Sequence, residues 1–116
     1  MDIKIITEKI SRSELLQMAK EGFGDMVKAV VDVKRRIIAV GGELHADAEA
    51  VLLENGSKQE NLWGINIYPE KTAEERIEFT SLINIRPSIG NRSMDIQDSH
   101  IVDTINQIAK NMGIID

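Results

Sequence analysis

The 116-residue sequence contains no cysteine. That removes a disulfide framework, a thiolate metal site and a cysteine nucleophile together. Aromatic residues are scarce: Phe23, Trp63, Tyr68 and Phe79 make up 3% of the chain, too few for a base-stacking platform. Basic residues are in deficit, with 14 Lys and Arg against 19 Asp and Glu and a formal charge of −5. An acidic surface repels phosphate backbones, so nucleic acid is not an expected partner. Long apolar runs are also missing. Stretches such as Ile37-Ile38-Ala39-Val40 fall far short of the ~20 residues that span a bilayer, so no membrane partner is expected. No apolar h-region follows the opening Met1-Asp2-Ile3-Lys4, and the expected setting is the cytoplasm.

What is present suits one folded domain over residues 1–116, with 42% hydrophobic and 28% charged residues. No internal repeat, linker or low-complexity segment interrupts it. Ile3-Lys4-Ile5-Ile6 reads as a first strand. Ser11-Arg12-Ser13-Glu14 is a capping box, and Leu15, Met18, Ala19 and Gly22 follow it at helical spacing. Val27, Ala29, Val31 and Val33 alternate with Lys28, Val30 and Asp32, the period of a strand. A turn at Lys34-Arg35 leads to a third strand, Arg36 to Val40, which Gly41-Gly42 breaks.

Asp47 is the expected cap of a helix over Ala48 to Glu54, closed by Gly56. Leu62 to Tyr68 and Glu78 to Arg86 read as strands four and five, stopped by Pro69 and Pro87. Ile101, Val102, Ile105, Ile108, Ala109 and Met112 line one face of a terminal helix. The order β-α-β-β-α-β-β-α implies an α+β fold: a mainly antiparallel sheet of about five strands, with three helices packed on one face. Trp63 is expected in the core, its indole N–H bonded at the rim.

Polar residues collect in three places. If strands four and five are neighbours, Asn66, Tyr68, Asn84 and Arg86 share the sheet face opposite Trp63, Ile65, Ile67, Ile83 and Ile85. Such a strip is a solvated face, a ligand platform or a subunit interface. The second place is Pro87 to Met94. From Phe79 to Met94 this acidic chain holds no carboxylate, yet it carries Arg86 and Arg92. Gly90 and Asn91 tolerate a positive φ, so the turn can aim successive N–H groups at an anion, with Ser88 and Ser93 as further donors. The competing reading pairs Arg92 with Asp95 or Asp98 in an ordinary turn. Neither the Walker spacing nor the dinucleotide glycine pattern occurs.

The third place is Gly41 to Asp47, where Glu43, His45 and Asp47 share a face if the strand continues. That trio suits a metal or a carboxylate-oriented base, but Asp47 serving as a cap would turn it away. Glu60, in the polar loop before Trp63, is a further acid–base candidate, with a solvated surface role as its alternative. No elbow motif flanks any serine. No cofactor and no metal is implied.

Taken together, Phe23-Gly24-Asp25-Met26-Val27-Lys28, Gly41 to Asp47, Glu60 to Asn66, Ile83 to Ser88 and Gly90-Asn91-Arg92-Ser93 resemble a family of small bacterial and archaeal proteins catalogued as a domain of unknown function. The resemblance covers roughly Ile3 to Met112. It implies a free-standing prokaryotic domain and transfers no catalytic or binding residue.

Two functions follow as expectations. One is a small-ligand or anion-binding domain using the end of strand five and the following loop. There Arg86, Asn91, Arg92 and Ser93 are donors and Asn84 and Asn66 position the ligand, with Glu43, His45 or Glu60 for acid–base chemistry. The other is a non-enzymatic interaction module that forms a homo-oligomer through a strand edge, a sheet face or Ile114-Ile115.

Overall fold

The computed structural model describes residues 2–115. The chain runs β1 (Ile3–Ile6), α1 (Arg12–Glu21), β2 (Val27–Asp32), β3 (Ile37–Gly41), α2 (His45–Glu54), β4 (Leu62–Ile67), β5 (Ile77–Glu78) and α3 (Ser99–Asn111). The strands form one antiparallel sheet in the order β1-β3-β2-β4-β5, which gives the α+β architecture expected from the sequence. No helix among the described residues is long and apolar enough to cross a membrane.

Side-chain alternation divides the sheet into two apolar faces. Val27, Ala29 and Val31 of β2 join Ile38, Val40, Trp63, Ile65 and Ile67 on one face, under Leu15 of α1 and Ile105, Ile108, Ala109 and Met112 of α3. Val30, Ile37, Ala39 and Leu62 occupy the other, under Ala48 and Leu52 of α2. The expectation of helices on one face is thereby corrected. The inner strands are apolar at both odd and even positions, a pattern that demands cover on both sides. Helix α2 supplies that cover over only part of the second face, and the uncovered remainder becomes the site below.

Local chemistry sets the boundaries. Ser11 caps α1 by accepting from the Glu14 N–H at 3.1 Å, and Asp98 caps α3 by accepting from the His100 N–H at 2.8 Å. Asp32, fully buried, accepts from the N–H groups of Lys34 and Arg35 and from the Ser57 hydroxyl, closing the β2–β3 turn. Arg36 takes a left-handed φ of 58° there, so β3 begins one residue later than its alternation suggested.

Two further boundaries differ from expectation. Helix α2 begins at His45, with Leu44 at the N-cap and Asp47 three residues inside. Asp47 accepts from the Leu44 N–H at 3.0 Å instead of capping from outside. The fifth strand is only Ile77–Glu78, not Glu78 to Arg86. Ser81 ends it by accepting from the Ile83 N–H, which favours a 3₁₀ turn at Leu82–Asn84 over a ladder.

Candidate functional site

Residues 79–96 leave the sheet and fold back as an irregular hairpin against the outer edge of β4. Its arms are tied where Thr80 pairs with Asp95 and Arg86 with Asn91. Asn84, fully buried, stands in for a neighbouring strand. Its Oδ1 accepts from the Gly64 N–H at 2.8 Å and its Nδ2 donates to the Gly64 carbonyl at 3.0 Å. Gly64 permits this approach, because a Cβ there would stand 2.5 Å from that of Ser81. Asn91 spends its amide in the same way, donating to the carbonyls of Asn84, Ser93 and Asp95 and accepting from the Gln97 N–H.

Arg86 grips the start of β4. Its guanidinium donates to the carbonyls of Gln59 and Leu62 and lies 4.5 Å from the Trp63 ring centroid. Burial lowers its pKa from the usual arginine value, while the charge of Glu49 acts in the opposite sense. The Trp63 indole N–H, expected to be bonded at the rim, is buried without a partner. At the hairpin tip, Ile89, Gly90 and Asn91 donate their N–H groups to the carbonyls of Arg86 and Pro87. Those donors are turned inward, so the tip is not an anion nest. Arg92 is exposed and lies outside this bonding, its backbone N–H donating to Gln97, while the Ser93 hydroxyl accepts from the Asp95 N–H. Glu60 sits exposed in the 3₁₀ turn Gln59–Asn61. Arg86, Asn84 and Asn91 thus build a wall.

That wall faces a cleft. Between the start of α2 and the hairpin, on the sheet face that α2 leaves open, lies a cavity of about 340 Å³. Leu44, 59% exposed, stands on one side, with Leu82, 73% exposed, and Met94, 42% exposed, on the other. Lys28, His45 and Asn66 are among the residues beneath them, and no Asp or Glu lines the cavity. This volume lies at the small end of the range for ligand sites, ~300–1,000 Å³.

Three polar features of the cleft are incompletely satisfied. Asn66 donates from Nδ2 to Glu78 at 2.8 Å and to the Thr80 carbonyl at 3.4 Å. Both partners accept, which fixes the amide orientation and leaves Oδ1 buried without a hydrogen bond. His45, 9% exposed, holds Nε2 at 2.8 Å from the Ile65 carbonyl. A carbonyl only accepts, so Nε2 carries the proton and the neutral ring keeps its lone pair on Nδ1. Desolvation, aided by the charge of Lys28, lowers the His45 pKa below 6.5, against smaller opposing effects of the Ile65 carbonyl and the nearby Asn66 amide. Finally, Leu44 offers no side-chain acceptor at the N-cap. Among the described residues, the N–H groups of His45 and Ala46 consequently find no partner.

The family described as Protein of unknown function (DUF5674) matches residues 4–112. The chain belongs to that family. No curated protein and no solved structure matches it.

Of the residues singled out in this member of the family, His45 and Asn66 meet in the cleft, whereas Glu43 is exposed and Asp47 is tied to the Leu44 N–H. No group of three His, Asp or Glu side chains among the described residues is arranged to hold a metal ion. Sequence reasoning missed Lys28, Leu44, Leu82 and Met94. Lys28 was legible as the lone cation of β2, opposite Asn66 once β2 and β4 are paired. An apolar residue at the Leu44 position, where Ser, Thr, Asp or Asn is the usual cap, was a second signal.

Proposed function

We propose that the protein is a small-ligand-binding domain whose site is the cleft between α2 and the hairpin of residues 79–96. The single observation that carries this reading is the buried, unpartnered Oδ1 of Asn66 beneath exposed apolar walls. A buried acceptor without a donor costs ~1–3 kcal/mol, a cost that an incoming group can relieve. The wall of Leu82, Ile83 and Met94 would cover the apolar body of the ligand. Arg86 and Asn84 act through that wall by holding the hairpin to β4, and Asn91 by tying its two arms together. The other openings fit less well: the hollow near Asp98, though larger at about 450 Å³, has that carboxylate in its lining, and the one between α1 and Gly41-Gly42 is faced by Asp2 and Glu21.

A thermal-shift screen of small amphipathic molecules tests the reading, followed by NMR of the methionine methyl groups. Hits should shift the Met26 and Met94 methyls and the His45 ring, and Leu82→Ser should weaken them. Hits that leave those signals unmoved would refute the assignment.

Leu82, Ile85 and Ile89 favour a second reading, a contact between copies of the chain, since each remains more than two-fifths exposed on one hairpin. Light scattering decides it: a stable multimer that Leu82→Ser and Ile89→Ser disperse supports association, and a monomer excludes it.

A further inference from the structure

We infer that the polar end of the ligand is a carboxylate whose neighbouring carbon bears an O–H or N–H donor, held by the first turn of α2, Lys28 and Asn66. This rests on the cleft being the binding site, and it names what the cleft selects. Lys28 reaches the cleft from β2, and its ammonium group lies over the Phe23 ring, with Nζ 5.0 Å from the centroid. The ion pair found among the described residues, Lys4–Glu14, does not involve it. The chain has 19 Asp and Glu residues, yet none lines the cleft, and the one beside its floor, Glu78, is engaged by the Asn66 amide, which leaves Lys28 for an anion from outside.

The backbone points the same way. The 10-residue helix α2 presents the N–H groups of His45 and Ala46 without acceptors, at the end where its dipole is positive. Both residues line the cleft. Two adjacent N–H donors and an ammonium group form a receptor for a carboxylate. A helix start alone would be weak ground, but Asn66 adds an independent demand. Its Nδ2 is drawn toward Glu78 on the β5 side, which turns Oδ1 toward the Lys28 and His45 side of the floor. An acceptor there repels a bare anion and welcomes a donor. The lone pair on Nδ1 of neutral His45 makes the same demand.

The cleft therefore combines donors for a negative group with acceptors for a hydrogen-bearing one, and apolar walls beyond. A 2-hydroxy or N-acylamino acid with an aliphatic side chain meets all three requirements. A simple inorganic anion meets only the first, and an uncharged amide leaves Lys28 unmatched.

Calorimetry with three probes of one carbon skeleton tests this: 2-hydroxy-4-methylpentanoate, 4-methylpentanoate and 4-methylpentanamide. The hydroxy acid should bind roughly ten-fold more tightly than the acid, the yield of one buried hydrogen bond, and the acid roughly ten-fold more tightly than the amide, the yield of the charge-assisted one. Lys28→Met should erase the preference for acid over amide. Asn66→Ala should erase the preference for the hydroxyl while leaving the charge preference in place. Equal binding of all three probes would overturn the carboxylate inference but uphold the cleft as a site. Binding of none would overturn the cleft reading with it. Circular dichroism of each variant confirms that a lost preference is not lost folding.

Discussion

Replacing Asn84 by Ala tests the central structural claim, that one side-chain amide does the work of a missing strand. In the native fold Asn84 pairs with both backbone groups of Gly64, inside a fully buried stretch of β4. Alanine leaves that N–H and C=O without partners. At ~1–3 kcal/mol for each orphaned group the loss is roughly 2–6 kcal/mol, against a total of ~5–15 kcal/mol for an ordinary domain. The bond from Nδ2 to the Met94 carbonyl adds less, because that carbonyl keeps the Ser81 N–H as a donor. Urea unfolding is the assay, and Trp63 is a single buried reporter stacked on Arg86. With a slope of ~1.5 kcal/mol/M, a loss of ~4 kcal/mol lowers the midpoint by roughly 2.5 M.

Asn84→Asp adds a second arm with a distinct pH signature. The introduced carboxylate still accepts from the Gly64 N–H, but its other oxygen opposes the Gly64 carbonyl unless it is protonated. Burial and that repulsion raise its folded pKa above the ordinary ~3.9. Its stabilising contribution is therefore complete below that value and is lost as pH rises through the folded pKa. Asn84→Asp should approach the wild type near pH 4 and fall behind at pH 7, while the deficit of Asn84→Ala stays flat. A cost under ~1 kcal/mol for Asn84→Ala, or no pH trend for Asn84→Asp, would refute the strand-mimic argument.

Gly64→Ala places a methyl group 2.5 Å from the Ser81 Cβ and should cost ~1–3 kcal/mol by pushing the hairpin off β4, read as a lower unfolding midpoint. Arg86→Lys keeps the charge but not the planar fork, so it should cost roughly 2–4 kcal/mol and change Trp63 fluorescence. His45 has a depressed folded pKa, so its contribution to stability is complete above the unfolded value near 6.5 and declines as pH falls toward the folded one. The wild type should lose stability across that interval more steeply than His45→Gln, by urea midpoints taken at half-unit pH steps.

Much of the fold was legible because its signals are local. Alternation in Val27–Asp32, the Ser11 cap and the apolar stripe of α3 each depend on residues within one element. The site was legible only in fragments. Asn84, Asn91 and Arg86 were visible as unusual polar residues, but a side chain that binds a ligand and one that binds a backbone carbonyl have the same composition. The structure distinguishes them by showing what stands opposite. Asn84 meets a strand edge, whereas Asn66, one of the same amides, meets a cleft.

Sequence alone determined the first four strands, the three helices and the carboxylate-free stretch that interrupts an acidic chain, but it misplaced the fifth strand. Only the tertiary structure decided that α2 crosses to the second sheet face and covers part of it, bringing Lys28, His45 and Asn66 under walls from residues 44, 82 and 94. The physical reason is range. Periodicity and capping act across a few neighbouring residues, while a cleft depends on which distant segments must pack together to remove apolar surface from water.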